Sequence, residues 1–147
     1  MGLPKKDGQV FLSAEGVIVS GMDGAATLLH HHLPHFAKDH PELAGCKPGT
    51  INVRLDRPLR FNKPDFCIGS FSYLNGLEES YGFVMIGLEL PLGSPQRRAW
   101  IYLPDKSPHK DNWHQVEIIA PPHEAVATDA RCRIHIQRQF EIVTVVT

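Results

Sequence analysis

Short apolar runs alternate with turns rich in glycine and proline along most of the chain. The sharpest pattern is Thr50-Ile51-Asn52-Val53-Arg54-Leu55-Asp56, in which polar and apolar residues alternate strictly. A period of two predicts a half-buried strand, with Ile51, Val53 and Leu55 on the interior face and Thr50, Asn52, Arg54 and Asp56 on the other. Similar runs predict strands over residues 66–74, 82–89, 98–103, 115–120 and 131–137, and a β-branched stretch over 140–146 adds another. Near the start, Val10-Phe11-Leu12 and Gly16-Val17-Ile18-Val19-Ser20 read as two strands joined through a short turn. Residues 28–43 carry the best helical pattern, which Pro34 and Pro41 restrict to one or two short pieces.

Strands at this spacing, separated by polar turns, predict a mainly all-β fold, a small barrel or sandwich. Closing the sheet into a barrel would remove the edges that such apolar strands otherwise present. Alternation within the strands assigns Ile51, Val53, Leu55, Val84, Ile86, Ile101 and Ile118 to the core. Without an internal repeat, a low-complexity tract or a linker, residues 1–147 read as a single domain.

Composition narrows the function classes. Of 147 residues, 42% are hydrophobic and 21% charged, the balance of a soluble globular domain. A net charge of −1 argues against nucleic acid or an anionic membrane surface as partner. Cys46, Cys67 and Cys132 are scattered, odd in number and free of any C-x-x-C spacing, so reduced thiols in a cytoplasmic protein are expected rather than a disulfide framework or a zinc site. The opening Met1-Gly2-Leu3-Pro4-Lys5-Lys6 lacks the apolar core of a signal peptide, and no apolar run reaches the ~18 residues of a membrane span.

Thr50 and Asn52 bring a hydroxyl and an amide oxygen side by side at a strand start, just after the Pro48-Gly49 turn. Two neutral oxygens suit a Mg²⁺ ion whose remaining ligands are phosphate and water. The same pattern is also that of the polar outer face of any amphipathic strand. Nine histidines include His30-His31-His32, His35 and His40. His31 and His35 would share a helical face and could clamp a transition metal, but Pro34 lies between them, and a surface or structural role is the plainer reading. Phe71, Tyr73, Tyr81, Phe83 and Trp100 read as packing residues, whereas Trp113, in a polar run, is the aromatic better placed to meet a ligand.

Three segments, in order, resemble one family. Pro48-Gly49-Thr50-Ile51-Asn52-Val53-Arg54-Leu55-Asp56 resembles the Pro-Gly-Thr-Leu-Asn-Val-Lys-Leu-Asp segment of the archaeal CTP-dependent riboflavin kinases. Gly16-Val17-Ile18-Val19-Ser20-Gly21-Met22-Asp23-Gly24 resembles that family's opening strand and glycine-rich nucleotide loop. Ala99-Trp100-Ile101-Tyr102-Leu103-Pro104-Asp105-Lys106-Ser107, followed by Val116-Glu117-Ile118-Ile119-Ala120-Pro121, resembles its late hairpin. The likeness covers about residues 16–136 and leaves the tail at 140–147 unmatched.

The resemblance implies a six-stranded cradle-loop barrel that transfers phosphate from CTP to the ribityl chain of riboflavin, giving FMN, with Mg²⁺ as cofactor. It places Thr50 and Asn52 at the metal and Glu117 at the flavin substrate near the accepting hydroxyl, as a candidate general base. It also places Ser107 near a flavin-contacting hydroxyl, and Gly21, Met22, Asp23, Gly24, Ala25 and Ala26 around the nucleotide phosphates. Pro122 and His123 fall at the nucleotide too. The sequence departs from the family there: the loop reads Gly21-Met22-Asp23-Gly24-Ala25 instead of Gly-x-Gly-Glu-Gly, and Pro122-His123-Glu124 replace a Leu-Arg pair. Losing a cation beside a triphosphate weakens its binding, so a barrel that binds a flavin or nucleotide without catalysis is a second reading. The near-neutral charge and the unmatched tail leave an interaction module as a third.

Overall fold

The computed structural model describes residues 12–19, 33–34, 36–38, 40–46, 50–61, 64–72, 78–104, 114–122, 127–136 and 143–145. Among them are nine strands: β1 (Leu12–Val19), β2 (Ile51–Leu55), β3 (Leu59–Phe61), β4 (Phe66–Ser72), β5 (Glu78–Glu89), β6 (Arg97–Pro104), β7 (Gln115–Ile119), β8 (Arg131–Ile136) and β9 (Val143–Val145). Six of them close a ring in the order β5-β6-β7-β2-β1-β8 and back to β5, every pairing antiparallel. The fold is therefore an all-β closed barrel, as the strand spacing predicts. Helical residues occur at 33–34 and 36–38, and a 3-10 turn at Pro41–Gly45, within the stretch predicted to be helical.

β5 is long enough to serve three partners. β6 runs along one edge, while β4 and β8 share the other, β4 taking its first half and β8 only Gly87, Leu88 and Glu89. β3 and β9 form a separate two-stranded ribbon.

Alternation sends one set of side chains into the barrel and the other outward. The interior is filled by Ala14, Ile18, Val53, Leu55, Val84, Ile86, Ala99, Ile101, Val116, Ile118, Ile134 and their neighbours. Every predicted core residue is buried there except Ile51, which lies at the strand start and packs against the cluster while partly exposed. A second core lies on the outside of β5, β6 and β7, where Tyr81, Phe83, Trp100, Tyr102 and Ile119 meet Leu33, Phe36, Leu43 and Cys46 of the helical stretch. Phe36 sits edge-on to Phe83 at 5.5 Å and tilted against Tyr81 at 5.0 Å, and it is fully buried. Tyr81, Phe83 and Trp100 are thus packing residues, as the sequence predicts.

The predicted turn between two opening strands does not exist; β1 is continuous from Leu12 to Val19. Gly16 there serves close approach, since a Cβ on it would meet the Arg54 carbonyl oxygen at 2.5 Å and Val53 Cγ1 at 2.7 Å. Among the described residues, no helix is long and apolar enough to cross a membrane.

Candidate functional site

The site is built on the pairing of β2 with β7. Asn52 stands directly opposite Glu117, and Ile51 opposite Ile118. Because Val53 and Ile118 point into the barrel, Asn52 and Glu117 both project from its outer surface. Thr50, just before β2, lies on the same face, and its Oγ1 is 3.4 Å from Glu117 Oε1, a long hydrogen bond in which the hydroxyl donates. Three side chains that the sequence singles out therefore converge, although Glu117 is 67 residues from Thr50 along the chain.

Their positions follow from packing on both sides. Ile119, two residues beyond Glu117 and on the same face, is buried in the outer aromatic core, which fixes the facing of β7. At the other end of the pair, Leu55 N–H donates to the His114 carbonyl at 2.6 Å, and His114 Nδ1 lies 3.1 Å from the Leu55 carbonyl oxygen. These contacts lock the register that sets Asn52 against Glu117.

Asn52 is only 8% exposed, and its Oδ1 has no hydrogen-bond partner among the described residues. Buried amide oxygens are almost always satisfied, because leaving one bare costs about 1–3 kcal/mol. An unpartnered acceptor next to a hydroxyl and a carboxylate is an all-oxygen donor set, which suits a hard cation. Thr50, Asn52 and Glu117 thus fit Mg²⁺ in donor chemistry. Among the described residues, no three His, Cys, Asp or Glu side chains gather as a metal-binding group. His40 instead faces Glu42, with its Nδ1 3.4 Å from Oε1.

The ends of β1 and β7 lie beside the start of β2. Val19, the last residue of β1, pairs with Asn52 on the side away from Glu117, so the chain departs toward Gly21 from beside the amide. β7 runs on through Ala120 and Pro121 to Pro122, which is exposed and contributes neither charge nor donor. Gly21, Met22, Asp23, Gly24, Ala25, Ala26, Ser107 and His123 lie outside the described residues, as do Trp113, His31 and His35.

Arg54 is a further candidate for the site. It follows Asn52 on the same face of β2, stands between Val17 and Gln115, and is exposed. The strict alternation already put Arg54 on the face of Asn52, and the structure finds it exposed there. No protein-family model matches this chain, and no curated protein matches it either.

Proposed function

We propose that the barrel is a Mg²⁺-dependent phosphotransferase of the riboflavin-kinase type, moving phosphate from a nucleotide, CTP by resemblance, to the ribityl hydroxyl of riboflavin. The observation that carries this reading is the bare, buried Asn52 Oδ1 beside Thr50 and Glu117. A bound Mg²⁺ would neutralise and align phosphate oxygens, which is most of what phosphoryl transfer needs from its surroundings. Asn52 Oδ1 and the Thr50 hydroxyl would hold the ion. Thr50 meets the Glu117 carboxylate at Oε1, and that carboxylate would orient the acceptor hydroxyl or take its proton. Arg54 offers the phosphates a cation that Pro122 does not.

The test is FMN formation from riboflavin with CTP and Mg²⁺. Asn52→Ala should lower turnover steeply, and Glu117→Gln should lower it by roughly 10²–10⁴-fold if the carboxylate is the base. Calorimetry with riboflavin, FMN, CTP and ATP, each with and without Mg²⁺, separates the alternative. Pro122 in place of a cation favours a barrel that binds a flavin or nucleotide without turnover, and binding with no FMN formed would establish it. Neither binding nor turnover would reject both.

A further inference from the structure

A second constellation lies on the outer face where β1, β8 and the end of β5 meet, two strand boundaries from the β2–β7 pair. Ser13 and His135 are direct cross-strand partners, and Ser13 Oγ lies 2.9 Å from His135 Nδ1. The other ring nitrogen, Nε2, lies 3.0 Å from Glu89 Oε1. Glu89 is itself held: the Gly93 N–H donates to its Oε2 at 2.7 Å, and Arg133 Nη1 stands 3.4 Å from the same oxygen. Gly93 makes that contact from a turn with φ of +96°, a conformation side chains rarely allow.

The hydrogen-bond roles follow from the acceptor. An ionised carboxylate can only accept, so Nε2 carries the ring hydrogen. In the neutral ring Nδ1 then presents its lone pair to the Ser13 hydroxyl, which donates. That is the arrangement of a serine nucleophile, an imidazole base and an orienting carboxylate, with the two ring nitrogens exchanged relative to the commoner case. Ser13 is exposed, while the Glu89 side chain is only 10% exposed, so the reacting end meets solvent and the orienting end does not. Arg57 adds a cation beside the nucleophile, its Nη2 3.5 Å from the Ser13 carbonyl oxygen.

We propose that Ser13, His135 and Glu89 form an acyl-transfer site that accepts small activated carboxylic esters, independently of the Thr50–Asn52–Glu117 site. Ser13 Oγ adds to the ester carbonyl carbon as its proton passes to His135 Nδ1, and the carbonyl π pair moves onto oxygen, facing the Arg57 guanidinium. Collapse breaks the bond to the leaving alcohol, which takes the proton from His135, and leaves an acyl-Ser13 ester. Water, deprotonated by the same imidazole, then releases the acid and restores the serine. Glu89 touches no reacting atom; it positions His135 and fixes its tautomer.

The full-length chain is treated with a fluorophosphonate and, separately, with p-nitrophenyl acetate. Expected are a single modification mapped to Ser13 by mass spectrometry, its loss in Ser13→Ala, and a fall of roughly 10²–10⁴-fold in acylation rate in His135→Ala. Ser13→Ala removes one exposed oxygen, so its melting temperature verifies that the loss is chemical. The ¹⁵N spectrum of histidine-labelled protein should show His135 with a hydrogen on Nε2 and none on Nδ1, and Glu89→Gln should mix the two tautomers. Modification of other serines at a similar rate, or of Ser13 equally fast in His135→Ala, would overturn the proposal, as would a His135 hydrogen on Nδ1.

Discussion

Asn52 and Glu117 face each other across two neighbouring strands, yet one is nearly buried with an unpartnered oxygen and the other is half-buried. Such an oxygen is a stability cost retained in the fold. Replacing Asn52 by leucine, similar in shape and without the oxygen, is therefore expected to raise stability by about 1 kcal/mol in metal- and ligand-free urea denaturation. The same variant should lose Mg²⁺-dependent nucleotide binding in calorimetry. A destabilised Asn52→Leu would mean that the oxygen already has a partner.

Gly16 admits no side chain without movement of the backbone of β2. Gly16→Ala should lower stability by about 1–3 kcal/mol, the usual range for overpacking, measured as a drop in the urea midpoint at constant slope. It should also push Val53 and Arg54, and therefore loosen the register at Asn52.

Phe36 is the residue through which the helical stretch grips the outer face of β5. Phe36→Ala is expected to cost about 3–5 kcal/mol, with loss of near-ultraviolet circular dichroism from Tyr81, Tyr102 and Trp100. Tyr81 and Tyr102 stack at 5.8 Å, so their signal reports the integrity of this face.

Acid should weaken the β1–β8–β5 side of the barrel. Hydrogen bonding to Arg133 holds the Glu15 carboxyl below its ordinary value of 4.5, and the Gly93 N–H, followed by His135, does the same for Glu89. A carboxyl depressed in the folded state adds stability above its unfolded range, and that stability is lost as pH falls through the folded value. Melting temperatures recorded from pH 7 downward should therefore fall below about pH 5, and Glu89→Gln should flatten part of that fall.

The thiols should divide cleanly. Burial pushes Cys46 and Cys132 up to about 11, whereas Cys67 is exposed. A thiol-disulfide reagent at pH 8 should modify Cys67 at once and the other two only after unfolding.

What the sequence reveals depends on whether one face of a strand meets water. β2 shows its alternation because Arg54 is exposed opposite a buried Val53. In β6, Trp100-Ile101-Tyr102 is apolar on both faces, because the barrel interior and the outer aromatic core cover it from both sides. No pattern there could assign the faces. β3 escaped prediction because Leu59-Arg60-Phe61 becomes a strand only by pairing with β9 at the far end of the chain. Thr50 and Asn52 could be grouped from period alone, whereas Glu117 joined them only through a resemblance, since register between distant strands is absent from local pattern. Ser13 and His135 are 122 residues apart, and nothing local marks either one.

Two boundaries of the ring are short: β6 meets β7 at Trp100–Ile119 and Ile101–Ile118, and β8 meets β5 over Gly87, Leu88 and Glu89. Around the six strands, the β8–β5 boundary is diametrically opposite the β2–β7 boundary. The barrel is therefore a belt whose β8–β5 buckle is on the far side from the candidate site. Prising the buckle apart would open the ring into a curved sheet while β1, β2, β7 and β6 still hold one another, with Thr50, Asn52 and Glu117 in place. Glu89, through Arg133 and His135, fastens that buckle, so opening it would take the Ser13 constellation apart and leave the β2–β7 pair closed.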